Sequence, residues 1–241
     1  MTLVITTATQ KEMKAVLLGF NRRGKIGCKF PSLGNYCELP VNEKLCLLAV
    51  TGVGPVNAAL SIGRILGERK DVTGVLNLGV AGSFDLEQAP LCSAVVADSE
   101  IWPEYGLHTA EGIDPEGITF PILEYTGVTG TVSVWDRIAL EPEKACRILN
   151  LSVPKDLLKG ASMTVSGVTG TEERARMLME RYEPLTENME GFSLALACLQ
   201  AGIPFLELRT VSNLVGSRKP EHWKLDDALQ ALGEKARELF V

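Results

Sequence analysis

The chain has 241 residues, of which 46% are hydrophobic and 22% charged, and its formal net charge is −6. That length can bury a stable core as one large α/β domain or two small ones. The mild acidity, with no Lys/Arg run and no basic stripe alternating with aromatics, argues against a nucleic-acid partner. A small anion held by one Arg stays compatible with it. Cysteines stand at positions 28, 37, 46, 92, 146 and 198, none in a C-x-x-C pair. With only His108 and His222 to join them, no zinc pattern can be written, and scattered reduced thiols are expected. Met1-Thr2-Leu3-Val4-Ile5 has no cationic lead, so a signal peptide is not expected. No apolar run approaches the ~20 residues of a membrane helix. The expectation is a soluble, cytoplasmic protein without metal or organic cofactor.

In chain order, Leu3 to Ala8 predicts a buried first strand, followed by a helix over 12–19. Residues 21 to 44 carry Gly24, Gly27, Pro31, Gly34 and Pro40, so turns and short antiparallel strands are expected there. Leu45 to Thr51 reads as a buried strand. Pro55 then suits the first turn of a helix, with Val56, Ala59, Leu60, Gly63 and Leu66 on one face. Val72 to Leu78 is the next strand, closing on Gly79-Val80-Ala81-Gly82-Ser83. Strand, helix, strand in so few residues predicts a βαβ unit and parallel pairing.

Ala94 to Ala97 predicts a strand. Residues 99 to 130, with Pro103, Pro115 and Pro121, read either as a loop over a substrate or as a surface excursion. A strand over 131–134 and a helix after Asp136 ending near Asn150 follow. Ala161 to Val168 predicts a strand leading into Thr169-Gly170-Thr171, with Thr171 capping a helix whose first turn holds Glu172 and Glu173. Gly191 to Ala201 is apolar nearly all round and predicts a buried helix. Pro204 to Val211 predicts a strand. The last helix carries Leu225, Ala228, Leu229, Leu232, Ala236 and Leu239 on one face. No repeat or interior linker is visible, so a single domain over 1–241 is expected.

Four places could carry chemistry. Glu12 follows a buried strand, where α/β proteins place site residues; alone it reads as a solvated acid. The glycines of Gly79-Val80-Ala81-Gly82 let a backbone approach a ligand closely, though a tight turn explains them as well. Glu190 opens a helix with no polar face, so its carboxylate is either bonded or functional. A carboxylate there can accept hydrogen bonds from a vicinal diol and stabilise positive charge on a sugar. Arg209, Ser212 and Asn213 crowd one strand end. The Asn amide offers a donor and an acceptor on one plane. That matches a 6-oxopurine edge, where O6 accepts and a protonated N7 donates. A structural turn is the alternative there.

Together, Glu187-Asn188-Met189-Glu190-Gly191 before a buried helix, Arg209-Thr210-Val211-Ser212-Asn213 after the next strand, Gly79-Val80-Ala81-Gly82 after an earlier one and Glu12 after the first resemble the purine nucleoside phosphorylase/nucleosidase superfamily. The resemblance spans nearly the whole chain in family order. It implies a three-layer αβα fold around a central mixed twisted sheet and a homo-oligomer, dimer or larger. Its implied substrate is a small purine nucleoside, with no cofactor. Glu12 would bind and activate water, and Glu190 would hold the ribose hydroxyls with Met189 against the sugar. Arg209 would sit in the polar network around the water. Asn213 would grip the base beside Ser212. Val80, Ala81 and Gly82 would lie near sugar and base, and Val168, Thr169 and Gly170 would line the base pocket. Val80 stands where relatives often have Ser or Thr, which weakens phosphate binding and favours hydrolysis. The implied reaction is hydrolysis of an N-ribosidic bond. Phosphorolysis, a methylthioadenosine/S-adenosylhomocysteine nucleosidase and a silent nucleoside-binding protein remain as alternatives.

Overall fold

The computed structural model describes residues 2–20, 31–42, 44–110, 112–127, 130–154 and 156–240. The turns expected near Gly24 and Gly27 lie outside them. Strand β1 (Thr2–Thr7) is buried on both faces, as its unbroken apolar and threonine run requires. Helix α1 (Gln10–Phe20) buries Met13, Val16 and Leu17, and Glu12 with them. Strands β2 (Tyr36–Val41) and β3 (Lys44–Val50) form an antiparallel hairpin. Helix α2 (Pro55–Glu68) starts at Pro55 as expected, but the buried stripe is Ala58, Ser61, Ile62 and Ile65. Val56 and Leu60, expected inside, are 70% and 69% exposed. Both stripes are apolar. The β-branched one wins by packing on Val4, Leu47, Ala49 and Val75 of the sheet.

Strand β4 (Val72–Ser83) is 12 residues long and runs straight through the glycines expected to form a turn. Strand β5 (Ala94–Ile101) likewise outlasts its apolar start. The irregular stretch contains two small hairpins, β6 (Leu107–Thr109) with β7 (Gly112–Asp114) and β8 (Leu123–Gly127) with β9 (Gly130–Val134). Then come β10 (Arg137–Ala139), α3 (Pro142–Leu149) and β11 (Leu158–Thr164). Helix α4 (Glu172–Tyr182) is capped by Thr171, whose hydroxyl accepts from Arg174 N at 3.2 Å. A three-residue strand, β12 (Thr186–Asn188), precedes α5 (Gly191–Ala201). Strand β13 (Phe205–Leu214) and helix α6 (Leu225–Glu238) complete the chain.

The sheet has nine strands and is mixed. β3 and β4 both run parallel to β1, which lies between them, so the expected βαβ unit is a crossover that leaves room for the first strand. Helices α1, α3 and α6 cover one face through a core that includes Leu76, Leu78, Leu206 and Leu208. Helices α2 and α5 cover the other. This is a three-layer αβα arrangement. Half of the sheet also closes on itself. β4 pairs with β13, β13 with β5, β5 with β11, β11 with β12, and β12 again with β4. No helix among the described residues is long and apolar enough to cross a membrane.

Candidate active site

The closed ring has a polar interior. Leu206 and Leu208 of β13 point into the apolar core, so by strand alternation Glu207 and Arg209 point the other way. Glu207 accepts from Asn77 Nδ2 at 2.9 Å, Arg209 Nε at 3.1 Å and Ser162 Oγ at 3.3 Å. Glu100 of β5 accepts from Thr164 Oγ1 at 2.7 Å and from Asn188 Nδ2 at 2.9 Å. Both carboxyls are fully buried. Burial and the neighbouring Glu207 push the Glu100 carboxyl well above the usual carboxylate range. Gly191 packs against the pair: a Cβ there would meet Glu100 Oε1 at 2.3 Å and Glu207 Oε2 at 2.5 Å.

Asn188 joins this cluster to helix α5. Its Oδ1 accepts from Glu190 N and Gly191 N, both at 2.8 Å, while Phe192 N donates to Thr164 Oγ1 at 2.8 Å. The first N–H groups of α5 are therefore satisfied from below. The Glu190 carboxylate is held elsewhere, by groups outside its own helix. Oε1 accepts from Gly54 N, at the start of α2, at 3.1 Å, and Oε2 lies 3.5 Å from Arg209 Nη1 and Nη2. Glu190 is 4% exposed, and burial raises its pKa against the pull of Arg209 and Gly54 N–H.

Glu12 is not the solvated acid that its position alone suggested. Thr9 N and Thr9 Oγ1 donate to Oε2 at 2.9 and 2.7 Å, and Val80 N donates to Oε1 at 3.1 Å. Glu12 and Arg209 converge over Gly79, where a Cβ would lie 2.5 Å from Arg209 Nη1 and 2.9 Å from Glu12 Oε1. Burial works against the charge of Arg209, but Glu207, Glu190 and Glu12 outweigh it and hold its pKa above the ordinary value. One permanent cation thus organises three carboxylates.

Above this base lies a cavity of about 250 Å³, lined in part by Thr9, Glu12, Val53, Met189 and Glu190 on one side and by Ser212, Asn213, Ser217, Arg218 and Trp223 on the other. Val80, Ala81, Gly82, Val168 and Thr169 also line it. Gly170 and Arg209 are not on its wall; Arg209 is buried beneath it. The strand expected to reach Val168 ends at Thr164, so Val168 and Thr169 enter from the loop before α4. Asn213 is oriented by Ser212, whose hydroxyl lies 2.8 Å from Asn213 Oδ1 and 3.2 Å from Ala81 O. Asn213 Nδ2 donates to Leu214 O at 3.3 Å, which leaves one N–H and one lone pair of the amide available. No described residue from 99 to 125 lines this cavity; several instead line a separate one with α4.

Sequence reasoning did not single out Glu100, Asn188 or Glu207. Glu207 alternates with leucines in Phe205-Leu206-Glu207-Leu208, the pattern of an ordinary half-exposed strand. Only its proximity to Arg209, two residues on, hinted at an inward polar face.

A model of the Phosphorylase superfamily matches residues 2–241. Two relatives are futalosine hydrolases: one of Streptomyces coelicolor, 36% identical, covering 80% of this chain and 77% of the relative, and one of Thermus thermophilus, 34% identical, covering 79% of each. The stretches Glu187-Asn188-Met189-Glu190-Gly191 and Arg209 to Arg218, with Trp223 beyond, resemble the futalosine hydrolases. A methylthioadenosine/S-adenosylhomocysteine nucleosidase of Colwellia psychrerythraea is 25% identical over 72% of this chain and 69% of its own. The solved structure of a futalosine hydrolase mutant of Helicobacter pylori superposes with a TM-score of 0.70 at 18% identity, covering 98% of this chain and 95% of the other. A family match from the first strand to the last helix, with two relatives above 30% identity, places the chain in the Phosphorylase superfamily.

Proposed function

We propose that this protein hydrolyses the N-ribosidic bond of futalosine, releasing hypoxanthine and dehypoxanthine futalosine in menaquinone biosynthesis. The observation that carries the reading is the pairing of a buried sugar-side carboxylate, Glu190, with an oriented amide, Asn213, in one cavity. An amide suits a 6-oxopurine, because it donates to O6 and accepts from N7–H. The relatives above 30% identity are futalosine hydrolases.

In this reading the bond to the base lengthens first, and the sugar becomes oxocarbenium-like. Glu190 accepts from the ribose hydroxyls and stabilises the developing positive charge, with Met189 against the sugar. Asn213 stabilises the departing base by hydrogen bonding, and solvent delivers the proton, which an amide cannot supply. Glu12 orients the water that adds to C1′ and accepts the proton that this water loses. Arg209 acts beneath them: it fixes Glu190 and balances Glu12 rather than touching the water. Preorganised charge and positioning carry the rate. Thr9 and Val80 N–H hold Glu12 in place, so neither acid reorganises during the reaction. The aromatic, carboxylate-bearing 5′ tail of futalosine would run past Trp223 toward Arg218, whose guanidinium lies 5.6 Å from the Trp223 ring. We further propose that the working protein is a homo-oligomer of the cytoplasm and that its one domain spans 1–241.

The test is to incubate the protein with futalosine, inosine and methylthioadenosine, with and without phosphate, and to assay free base. Release of hypoxanthine from futalosine, independent of phosphate, is expected. Phosphate-dependent release, or preferential release of adenine from methylthioadenosine, would overturn the reading.

A further inference from the structure

Glu207 is a buried acid that the mechanism above does not use. It is 0% exposed and does not line the cavity. It accepts from Asn77 Nδ2 at 2.9 Å, from Arg209 Nε at 3.1 Å, and from Ser162 Oγ and Asn188 Nδ2 at 3.3 Å. Thr6 Oγ1 donates to Asn77 Oδ1 at 2.9 Å, which turns the Asn77 donor toward Glu207. Four donors, one of them a cation, are the surroundings that a carboxylate requires inside a protein. The grip on Arg209 is uneven. Nε meets Glu207 at 3.1 Å, whereas Nη1 and Nη2 both stand 3.5 Å from Glu190 Oε2. Nη1 is also 3.4 Å from Val80 O, and Nη2 is 3.3 Å from Asn188 Oδ1. A closed pair between Arg and a carboxylate lies at about 2.7–2.9 Å. Arg209 is therefore anchored by Glu207 and stands back from Glu190, whose Oε2 keeps lone pairs for a ligand. Burial works against the Arg209 charge, and of the three carboxylates that oppose burial Glu207 acts most strongly.

We propose that Glu207 is a positioning residue for the reaction: it fixes Arg209 through Nε and offsets its charge, which leaves Glu190 and Glu12 to act on the ligand. This rests on the N-ribosidic reading of the site and adds to it a residue that touches no ligand. In that reaction the sugar becomes cationic, and an uncompensated guanidinium beneath it opposes the developing charge. Glu12 and Glu190 both line the cavity and face the ligand. Glu207 reaches Arg209 from outside the cavity wall, so its charge offsets the guanidinium without occupying the site. Glu190 is faced by Arg209 and Glu207 of β13, by Glu12 of α1 and by the Gly54 N–H at the start of α2. Burial raises its pKa, Arg209 and the Gly54 N–H lower it, and Glu12 and Glu207 raise it again. Removal of the Glu207 charge therefore lowers the pH at which Glu190 ionises.

The experiment measures kcat, KM and their pH profiles for the wild type, Glu207→Gln and Glu207→Asp. The substrate is whichever of futalosine, inosine and methylthioadenosine the wild type cleaves. Glu207→Gln keeps an oxygen for Arg209 Nε but no charge. Its kcat should fall at least about tenfold with KM within about threefold, because the bound sugar is neutral and only the transition state carries charge. The acid limb of its kcat/KM profile should move to lower pH. Glu207→Asp restores the charge one methylene short, so it should recover kcat to within about threefold and return the acid limb toward its wild-type place. A folded Glu207→Gln with wild-type kcat, or with a loss carried by KM alone, would overturn the role of Glu207. If the glutamine variant does not fold, Glu207→Asp decides: kcat lowered about twofold to threefold at unchanged KM supports the role, and wild-type kcat overturns it. A wild type that cleaves only methylthioadenosine would remove the futalosine reading and leave the test of Glu207 standing. A wild type that cleaves none of the three would remove both.

Discussion

Asn188→Ala removes the side chain that ties helix α5 to the ring of strands. Its Oδ1 takes two backbone N–H groups at 2.8 Å, and its Nδ2 lies 2.9 Å from Glu100, 2.8 Å from Ser162 and 3.3 Å from Glu207. Each buried polar group left without its partner costs about 1–3 kcal/mol. Gly191 N has no other acceptor among the described residues, and Glu100 loses one of its two donors, so the total is about 4 kcal/mol. For a chain of this length that lowers Tm by roughly 8–16 °C. Denaturant unfolding followed by circular dichroism measures it as a lower midpoint at unchanged slope. Asn188→Asp makes the complementary change: the cap acceptor stays, but the donor is lost and a third acid joins Glu100 and Glu207. Its deficit should therefore shrink toward acid pH. A loss in Asn188→Ala below about 1 kcal/mol would refute the reasoning, since even one buried group left unpaired costs that much.

Glu190→Gln keeps an acceptor for Gly54 N, so the fold should survive with Tm within a few degrees, while turnover falls about 100-fold or more as the sugar-side charge is lost. Near wild-type turnover in the folded variant would remove Glu190 from the mechanism. Because burial raises the pKa of Glu190, the acid limb of the wild-type rate profile should lie above the ordinary carboxylate range. Asn213→Asp should shift preference toward 6-aminopurine nucleosides, read as the ratio of kcat/KM for adenosine-type and inosine-type substrates; an unchanged ratio counts against the amide as base reader. For Glu100 the folded state keeps a proton that the unfolded chain releases near the usual glutamate value. Its contribution to stability is thus present at acid pH and declines as pH rises, by up to about 1.4 kcal/mol per pH unit. Glu100→Gln, a neutral isostere, should lose that slope in Tm measured from about pH 5 to about pH 8, and an identical slope in both proteins would mean that Glu100 is not the protonated member.

The residues that face the cavity were largely legible because their signals are local. Glu190 stands before an all-apolar helix, and Ser212 and Asn213 follow an apolar strand, so their chemistry is visible within a few positions. The helix Gly191–Ala201 has the limits that its composition predicts. The polar cluster inside the ring, at and below the cavity floor, was not legible as a cluster, because it depends on closure of the ring. Glu100, Ser162, Asn188 and Glu207 come from four strands separated by up to 107 positions, and nothing in their own neighbourhoods says that they meet. The mistaken face of α2 has a simpler cause: with Val56, Leu60 and Ile62, Ile65 all apolar, a 3.6-residue period fits two stripes. β12 was missed because three residues carry no periodicity.

The bridging amide of Asn188 makes the buried cluster a single heritable unit. One side chain serves two carboxyls, two hydroxyls, two backbone amides and a guanidinium, so a change at any partner alters what is best at the others. Effects of substitution at Glu100, Asn188, Glu207 and Arg209 will not add. A lineage can therefore reach a different polar core here only by passing through poorly folded intermediates or by changing several positions together. Asn213 shares fewer partners: its amide meets the Ser212 hydroxyl and Leu214 O, so a change there disturbs fewer neighbours.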